Sequence, residues 1–426
     1  MKRILYFAFI LVTASCNNEI MEFEEFKNPE TTIQPKTRSI NEAIEIANNA
    51  AQEFFGVTRA AGGRIADVNN IDIITSSLTR SSGSNDTLLY IVNYEDNNGF
   101  AVISANKDAD ALLAVTEQGS YTPDSENIGF NMFMDMAQAY AAKSILPPGV
   151  EEGGTLFPIK EYKETLDTIE NTHILPKIKV QWGQEGIESK YANNSIRKTA
   201  GCANVATAQV MSHFSYPTQI ELTYLGNNSY SQHLDWATIK QHKTRHNNNS
   251  NCTATSAAHE AISQLHRQLG HLNNSWYEPS VTSTADSEIK IPFNKYGYSV
   301  SQYMNYNNSD FASLLKQNKI VVLLGMNESL NTGHVWVVDG LKKISILYTA
   351  WCREFGSVLW EEISQSTSTI EYYHHNWGWD GNCNGYFNKN VFNPNNSISY
   401  DNEGAGYQNS LSTAFGYNLK YFWVTR

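Results

Sequence analysis

The sequence lacks the patterns that mark several classes of protein. No tract of basic residues stands out, and the chain carries 43 acidic against 31 basic residues, a net charge of −12. A nucleic-acid surface is therefore not expected. There is no internal repeat, no coiled-coil heptad, and no interior apolar run long enough to cross a membrane as a helix. With 426 residues and 41% hydrophobic content, the chain predicts two or three folded units.

Cysteine is scarce and unevenly placed. The chain has five cysteines and 11 histidines, and residues 39–150 contain neither type. Every tryptophan, most histidines and every cysteine except Cys16 lie after Ile178. Residues 39–150 therefore offer little for catalysis, and we expect the chemistry in the C-terminal part of the chain.

Residues 1–16 resemble an export signal. A short apolar run follows two basic residues, and small residues lead into Cys16, as in a bacterial lipobox whose cysteine is lipidated. Thr13 departs from that pattern, because leucine is usual at its position. We expect an exported protein that is anchored to a membrane through Cys16 or secreted outright. Residues 17–38, which begin with an acidic stretch over 17–26, predict a tether.

The pattern of residues 39–150 predicts a small α+β unit. Ser39 and Glu42 form a capping box that starts an amphipathic helix ending at Gly56. A second helix is predicted over 130–143. Four runs predict strands: 71–74, 88–94, 100–104 and 112–116. Residues 151–177 are rich in charge, glycine and proline and predict a linker.

Residues 178–426 predict a larger unit that is also α+β. Helices are predicted over 202–214, 254–269 and 310–317. Strands are predicted over 320–324, 335–338, 344–348 and 421–424.

Cys202 is the candidate nucleophile. It follows Gly201 at the predicted start of a helix, where the helix dipole and free backbone N–H groups favour the thiolate. His334 follows it by 132 residues, within the separation of about 130–150 found in papain-like enzymes. An imidazole there could take the thiol proton and return it to the leaving amine. Each residue alone could equally be structural.

Asn376 is the candidate orienting residue. Its amide could accept the imidazole N–H of His334 and fix the tautomer, while Trp377 and Trp379 shield that bond from water. A packed turn at 376–379 is the alternative. Asp339 could orient the ring instead, or end a strand.

Gln184 lies eighteen residues before Cys202 and is a candidate oxyanion donor together with the Cys202 backbone N–H. An exposed loop glutamine is the alternative.

Other polar clusters carry weaker predictions. His374 and His375 lie near Asp380, but adjacent residues point apart on a strand and no His-x-x-x-His spacing includes them. We expect neither a metal nor another cofactor. If Cys16 is lipidated and Cys202 is catalytic, three cysteines remain. At most one disulfide can join them, and the sequence does not assign it. These three are Cys252, Cys352 and Cys383.

Several motifs together resemble the streptopain family of papain-like cysteine peptidases, including homologues in anaerobic gut bacteria. They are Gly201-Cys202 with Ala206–Met211, Trp182-Gly183-Gln184, Gly333-His334-Val335 with Asp339-Gly340, and Asn376–Trp379 with Gly385–Phe387. The resemblance implies a papain-like fold, in which a helical part carries the cysteine and an antiparallel sheet carries the histidine and asparagine. Asp380 stands where that family usually has glycine, and Asn204 and Val205 stand where small residues are more usual.

The resemblance also implies a zymogen. Residues 39–150 would be an inhibitory prodomain, and 178–426 the catalytic domain that cleaves protein and peptide substrates, preferring a hydrophobic residue two positions before the scissile bond. The prodomain would hold the histidine away from the thiol until the 151–177 segment is cut. A catalytically silent surface binding protein and a transglutaminase-like acyl transferase are the alternative functions on the same scaffold.

Overall fold

The computed structural model describes residues 37–56, 65–75, 87–123, 125–142, 160–192, 199–226, 230–242, 255–278, 281–306, 310–327, 332–354, 357–392 and 417–426. Cys16, Cys252 and the predicted signal and tether lie outside these ranges. None of the helices in the described part of the chain is long and apolar enough to cross a membrane.

The first helix begins and ends where the sequence predicts. Helix α1 spans Ile40–Phe55, and both hydrogen bonds of the capping box between Ser39 and Glu42 are present. Gly56 ends it at φ +64°, in the left-handed region that glycine adopts without a steric penalty. The buried residues of α1 are mostly alanines, so its backbone can lie close to the sheet beneath it.

Four strands and a second helix complete the N-terminal unit. They are β1 (Ala66–Thr75), β2 (Thr87–Tyr94), β3 (Phe100–Ser104), β4 (Leu112–Thr116) and α2 (Ile128–Ala141). The four strands pair antiparallel in chain order. All four predicted strands and both predicted helices of this unit are confirmed.

The segment predicted as a linker contains a long strand. Strand β5 (Lys160–Ile174) pairs antiparallel with Leu341–Glu354 of a later strand. The segment predicted as a linker is therefore not irregular along its whole length, and its role as a linker stays a prediction. The charged composition of β5 suits an edge strand that is largely open to solvent, because charge on an edge discourages pairing with other chains.

The C-terminal unit has a helical part and a sheet part. The helices are α3 (Cys202–Phe214), α4 (Trp236–Ile239), α5 (Ser256–Leu272), α6 (Ile291–Lys295) and α7 (Phe311–Lys316). Two small hairpins accompany them, β6 (Gln219–Glu221) with β7 (Ser231–His233) and β8 (Trp276–Glu278) with β9 (Val281–Ser283). The remaining strands are β10 (Ser299–Val300), β11 (Met304–Asn305), β12 (Ile320–Asn327), β13 (Thr332–Glu354), β14 (Glu361–Asn376), β15 (Gly385–Asn388) and β16 (Tyr417–Thr425).

One antiparallel sheet runs through both units. Its order is β1-β2-β3-β4-β15-β14-β13-β12-β16-β10, with β5 on β13 and β11 on β16. The N-terminal strands join the others where β4 pairs with β15, with Val115 opposite Tyr386. Two predicted strands, 335–338 and 344–348, are parts of the single strand β13. The sheet with helices against it confirms the predicted α+β class.

Two hydrophobic cores lie on opposite faces of β13. Val335 and Val337 pack with α3 and α5 in one core. Trp336 and Val338 pack in the other, which also contains residues of α2. This alternation follows from the two-residue period of a strand. The helix that starts at Cys202 and the N-terminal helix α2 therefore cover opposite faces of the same strand.

Candidate active site

Cys202 is the first residue of α3, as predicted. The preceding Gly201 has φ +93°, and a Cβ atom there would lie 2.8 Å from Cγ2 of Thr282. Both the backbone conformation and the packing therefore favour glycine. This tight turn presents the cysteine at the N-terminal end of a buried helix, where N–H groups have no partner within the helix.

The thiol is not acidic in this state. Burial raises the pKa of Cys202, while hydrogen bonds from backbone amides, among them those of Val335 and Ala203, oppose that rise only in part. The expected lowered pKa is therefore wrong for this conformation. Desolvation of the thiolate outweighs the favourable effect of the helix terminus on the pKa.

His334 lies near the start of β13 and is buried, with 2% of its surface exposed. Its Nε2 is 2.8 Å from the backbone oxygen of Trp377, and its Nδ1 has no hydrogen-bond partner in the described structure. The ring stacks on Trp336 at a centroid distance of 5.8 Å. Burial lowers the pKa of His334 to about 4, with the Trp377 carbonyl opposing. The imidazole is therefore neutral at ordinary pH.

The two candidate catalytic side chains lie on different faces of β13. Cys202 packs against the core that contains Val335, whereas His334 stacks on Trp336, which belongs to the other core. Neither ring nitrogen of His334 bonds the thiol. The thiol and the imidazole are thus both neutral and are not hydrogen-bonded to each other in this conformation.

Helix α2 of the N-terminal unit packs directly on the histidine. A Cβ atom at Gly129 would lie 2.5 Å from Cδ2 of His334 and 2.5 Å from Cε3 of Trp377. The helix backbone therefore touches both rings, and it can do so because Gly129 has no side chain. Sequence reasoning missed Gly129, since nothing in the sequence around it marks a catalytic contact.

Asn376 does not orient His334 in this structure. Its Oδ1 accepts hydrogen bonds from Gln209 Nε2 at 3.0 Å and from the Gly378 backbone at 3.2 Å. Its Nδ2 donates to the Val180 backbone oxygen at 3.0 Å. The ring bonds the Trp377 carbonyl instead, because Asn376 points toward α3, where its oxygen already accepts two hydrogen bonds.

Gln184 lies beside the nucleophile turn. Its backbone oxygen accepts a hydrogen bond from Ala200 N at 2.7 Å, two residues before Cys202. With 7% of its surface exposed, it is not the exposed loop glutamine of the alternative interpretation. This placement is compatible with the predicted role as an oxyanion donor.

The two candidate supporting tryptophans pack on the histidine side of the sheet. Trp377 is fully buried and donates from Nε1 to the Cys383 backbone oxygen at 3.0 Å. It lies 5.0 Å from Trp336, measured between ring centroids. Trp379 is only partly buried against the same core.

Asp339 orients His374 and not His334. Its Oδ1 lies 2.6 Å from His374 Nδ1, and its Oδ2 accepts from Ile178 N at 2.7 Å. His374 Nε2 lies 3.5 Å from Oε1 of Glu117, which belongs to the N-terminal unit. Burial disfavours charge on His374, but the Asp339 and Glu117 carboxylates outweigh it and raise its pKa to about 10. This charged contact between the two units was not predicted.

His375 points away from its neighbour His374, as expected for adjacent strand residues. Its Nδ1 accepts a hydrogen bond from Trp336 Nε1 at 3.0 Å. No three histidine, cysteine, aspartate or glutamate side chains in the described ranges are arranged to hold a metal ion. Cys352 and Cys383 are both free, so no disulfide joins them.

Comparison with known proteins gives two family matches. Residues 182–387 match the Peptidase C10 family, and residues 36–141 match the Spi protease inhibitor family. The chain is 27% identical to streptopain from Streptococcus pyogenes over 420 residues, covering 91% of this chain and 93% of streptopain.

Two solved structures are also similar. A prointerpain A fragment from Prevotella intermedia shares 18% identity at a TM-score of 0.49, covering 84% of this chain and 98% of that one. Active interpain A from the same organism shares 19% identity at a TM-score of 0.37, covering 59% and 94%. The sequence relationships identify the chain as a streptopain homologue, a cysteine endopeptidase zymogen with a Peptidase C10 domain behind a Spi-type inhibitor domain.

Proposed function

We propose that Cys202 and His334 form the catalytic pair of this peptidase. The Cys202 thiolate attacks a peptide carbonyl, and His334 protonates the leaving amine. Water then hydrolyses the thioester with His334 as the base. The oxyanion of each tetrahedral intermediate is held by the Gln184 amide and the Cys202 backbone N–H. The position of Cys202 at the start of α3, with Gln184 beside its turn, is the observation that carries the proposal.

Removal of the N-terminal unit activates the pair in this proposal. Helix α2 presses Gly129 onto the ring of His334, which leaves the imidazole on the face of β13 away from Cys202. Once α2 departs, the start of β13 is free to turn the ring toward the thiol. Loss of the covering unit also rehydrates His334, which favours its protonation by the Cys202 thiol.

In the latent conformation of this proposal the Trp377 carbonyl holds the imidazole. It accepts a hydrogen bond from His334 Nε2, whereas the Asn376 oxygen accepts from Gln209 and Gly378. Asn376 supports the site indirectly, because it fixes the turn that carries Trp377 against α3. Trp377 and Trp379 shield this bond from water.

The peptidase is exported in this proposal and anchored to a membrane through a lipid on Cys16. The apolar run and the small residues before Cys16 support it. Radiolabelled palmitate should label the chain when it is expressed in a bacterium that processes lipoproteins, and Cys16→Ala should abolish the label. Labelling of the Cys16→Ala variant would contradict the anchor.

The catalytic proposal is tested by following the purified chain 39–426 and its Cys202→Ala variant over time by gel and mass spectrometry. We expect only the wild type to lose its N-terminal unit and then to degrade casein. If both chains stay intact, a trace of trypsin is added to release the N-terminal unit. A trimmed wild type that neither cleaves casein nor reacts with an epoxide inhibitor would be a silent binding protein. Amine incorporation into casein without cleavage would indicate the transglutaminase-like alternative.

A further inference from the structure

Asn204 is a fully buried polar residue in the first turn of α3, two positions after Cys202. Its Nδ2 donates to the Ala200 backbone oxygen at 2.8 Å and to Ser275 Oγ at 3.1 Å. Its Oδ1 accepts from Asn273 Nδ2 at 2.7 Å and from Ser275 Oγ at 3.4 Å. The Asn204 side-chain amide thus joins Ala200, which precedes the nucleophile, to Asn273 and Ser275, which follow α5.

The Ala200 residue is held on both sides. Its N–H donates to the Gln184 backbone oxygen at 2.7 Å, and its carbonyl accepts from Asn204. Ala200 therefore connects the proposed oxyanion donor to the turn that carries Cys202. Any shift of this residue moves the Cys202 backbone N–H relative to Gln184.

The same network fixes the small hairpin β8–β9 beside the turn. Ser275, which precedes β8, bonds Thr284, which follows β9, at 2.8 Å between hydroxyl oxygens. Thr282 of β9 donates to the Thr199 backbone oxygen at 2.7 Å, and its methyl group packs on Gly201. The nucleophile turn is thus enclosed between Gln184 and this hairpin.

We propose that Asn204 is a positioning residue for peptide hydrolysis, which holds the Gly201–Cys202 turn in register with Gln184. This inference rests on the proposed function of Cys202 and Gln184. The physical reason is that an oxyanion hole works only when its donors are fixed before the reaction, and a misplacement of about 1 Å can cost about 100-fold in rate. An aspartate of the same shape can accept from Asn273 and Ser275, but it has no N–H for the Ala200 carbonyl.

The test compares Asn204→Ala, Asn204→Asp and a matched control. Gln268→Ala is the control, because Gln268 is also a fully buried amide of the helical part but donates to Thr223. Each full chain is processed with trypsin and its reactive thiols are titrated with an epoxide inhibitor, so that misfolded molecules are not counted. Hydrolysis of a fluorogenic peptide then gives kcat per titrated site and KM.

We expect kcat per titrated site to fall about 10- to 100-fold in both Asn204 variants, with KM changing less than about threefold. The control should keep its kcat per site even if less of it folds. Full kcat per site in Asn204→Asp would overturn the donor role, and full kcat per site in both variants would overturn the proposal.

A second readout separates this inference from the catalytic proposal. In the intact chain, amide hydrogen exchange of residues 199–205 should be at least about tenfold faster in Asn204→Asp than in the wild type and the control. Unchanged exchange would overturn the role of Asn204 whether or not the enzyme is active. A wild type that neither reacts with the inhibitor nor cleaves peptide would instead refute the catalytic proposal alone.

Discussion

The contact between Gly129 and His334 gives the sharpest prediction about latency. Gly129→Ala places a methyl group where only 2.5 Å separates it from the His334 ring and from Trp377. Overpacking of this kind costs about 1–3 kcal/mol. Alanine is favoured over glycine inside a helix by up to about 1 kcal/mol, which offsets part of the cost. The net expectation is destabilisation of the docked α2 by up to about 2 kcal/mol, or about 30-fold in its opening equilibrium.

The assay is amide hydrogen exchange over α2 in a Cys202→Ala background, which prevents self-processing. We expect α2 to exchange faster in Gly129→Ala, and the catalytically intact Gly129→Ala chain to lose its N-terminal unit sooner than the wild type. A double-mutant cycle with His334→Ala isolates the part of the clash that involves the histidine, because the contact with Trp377 remains when the ring is removed. Gly129→Ala should then speed the exchange less than it does when the His334 ring is present.

The result that would refute this reasoning is zero coupling in the cycle. If Gly129→Ala changes α2 exchange by the same factor with and without the His334 ring, the helix does not hold the histidine by direct contact. Slower exchange of α2 in both backgrounds would show that only helix propensity was altered.

Three further predictions concern charge and the oxyanion. The pKa of His334 lies below its usual value, so the unfolded chain takes up a proton at this residue before the folded chain does as pH falls. The free energy of unfolding of the latent form should therefore drop between about pH 6.5 and pH 4. Urea unfolding at each pH measures this drop. Glu117→Gln should lower the free energy of unfolding by about 1–2 kcal/mol, and by more at pH 6 than at pH 9. The stability that the raised pKa of His374 contributes is complete below the unfolded value of about 6.5 and is lost as pH rises toward the folded value of about 10. Thermal unfolding checks this against Glu126→Gln, which alters an exposed carboxylate of the same unit, and equal losses would contradict it. Gln184→Ala should lower kcat of the processed enzyme by about 100- to 1000-fold with KM nearly unchanged, and a change in KM alone would assign the residue to substrate binding.

The contact between Glu117 and His374 also bears on how the N-terminal unit is held. Glu117 follows β4, and His374 lies in β14, so the ion pair crosses the boundary between the two family matches. The backbone pairing of β4 with β15 lies next to it. The Glu117–His374 ion pair and the pairing of β4 with β15 thus hold the same edge of the N-terminal unit, while α2 contacts His334.

Local interactions explain what could be predicted from the sequence. The capping box at Ser39 and the start of α3 at Cys202 depend on residues within one helical turn, and both occur where expected. The candidate nucleophile and base were identified by residue type, order and spacing. These signals need no knowledge of distant contacts.

Tertiary structure decided the rest, because strand pairing and burial depend on partners far away in sequence. The charged segment 160–174 gives no strong strand pattern, yet it pairs with β13 over most of its length. Asn376 was predicted to face His334, but Gln209 of α3 occupies its oxygen.

The sequence by itself determined the order and spacing of Cys202 and His334, from which their roles as nucleophile and base are predicted. Only the tertiary structure decided that they are kept apart, through the face of β13 on which the ring lies and the helix α2 that covers it. The pKa of the Cys202 thiol also depends on one feature that the sequence reveals and one that only the tertiary structure reveals. The end of a helix is visible in a sequence and favours a thiolate, but the desolvation that outweighs it depends on what packs over the site.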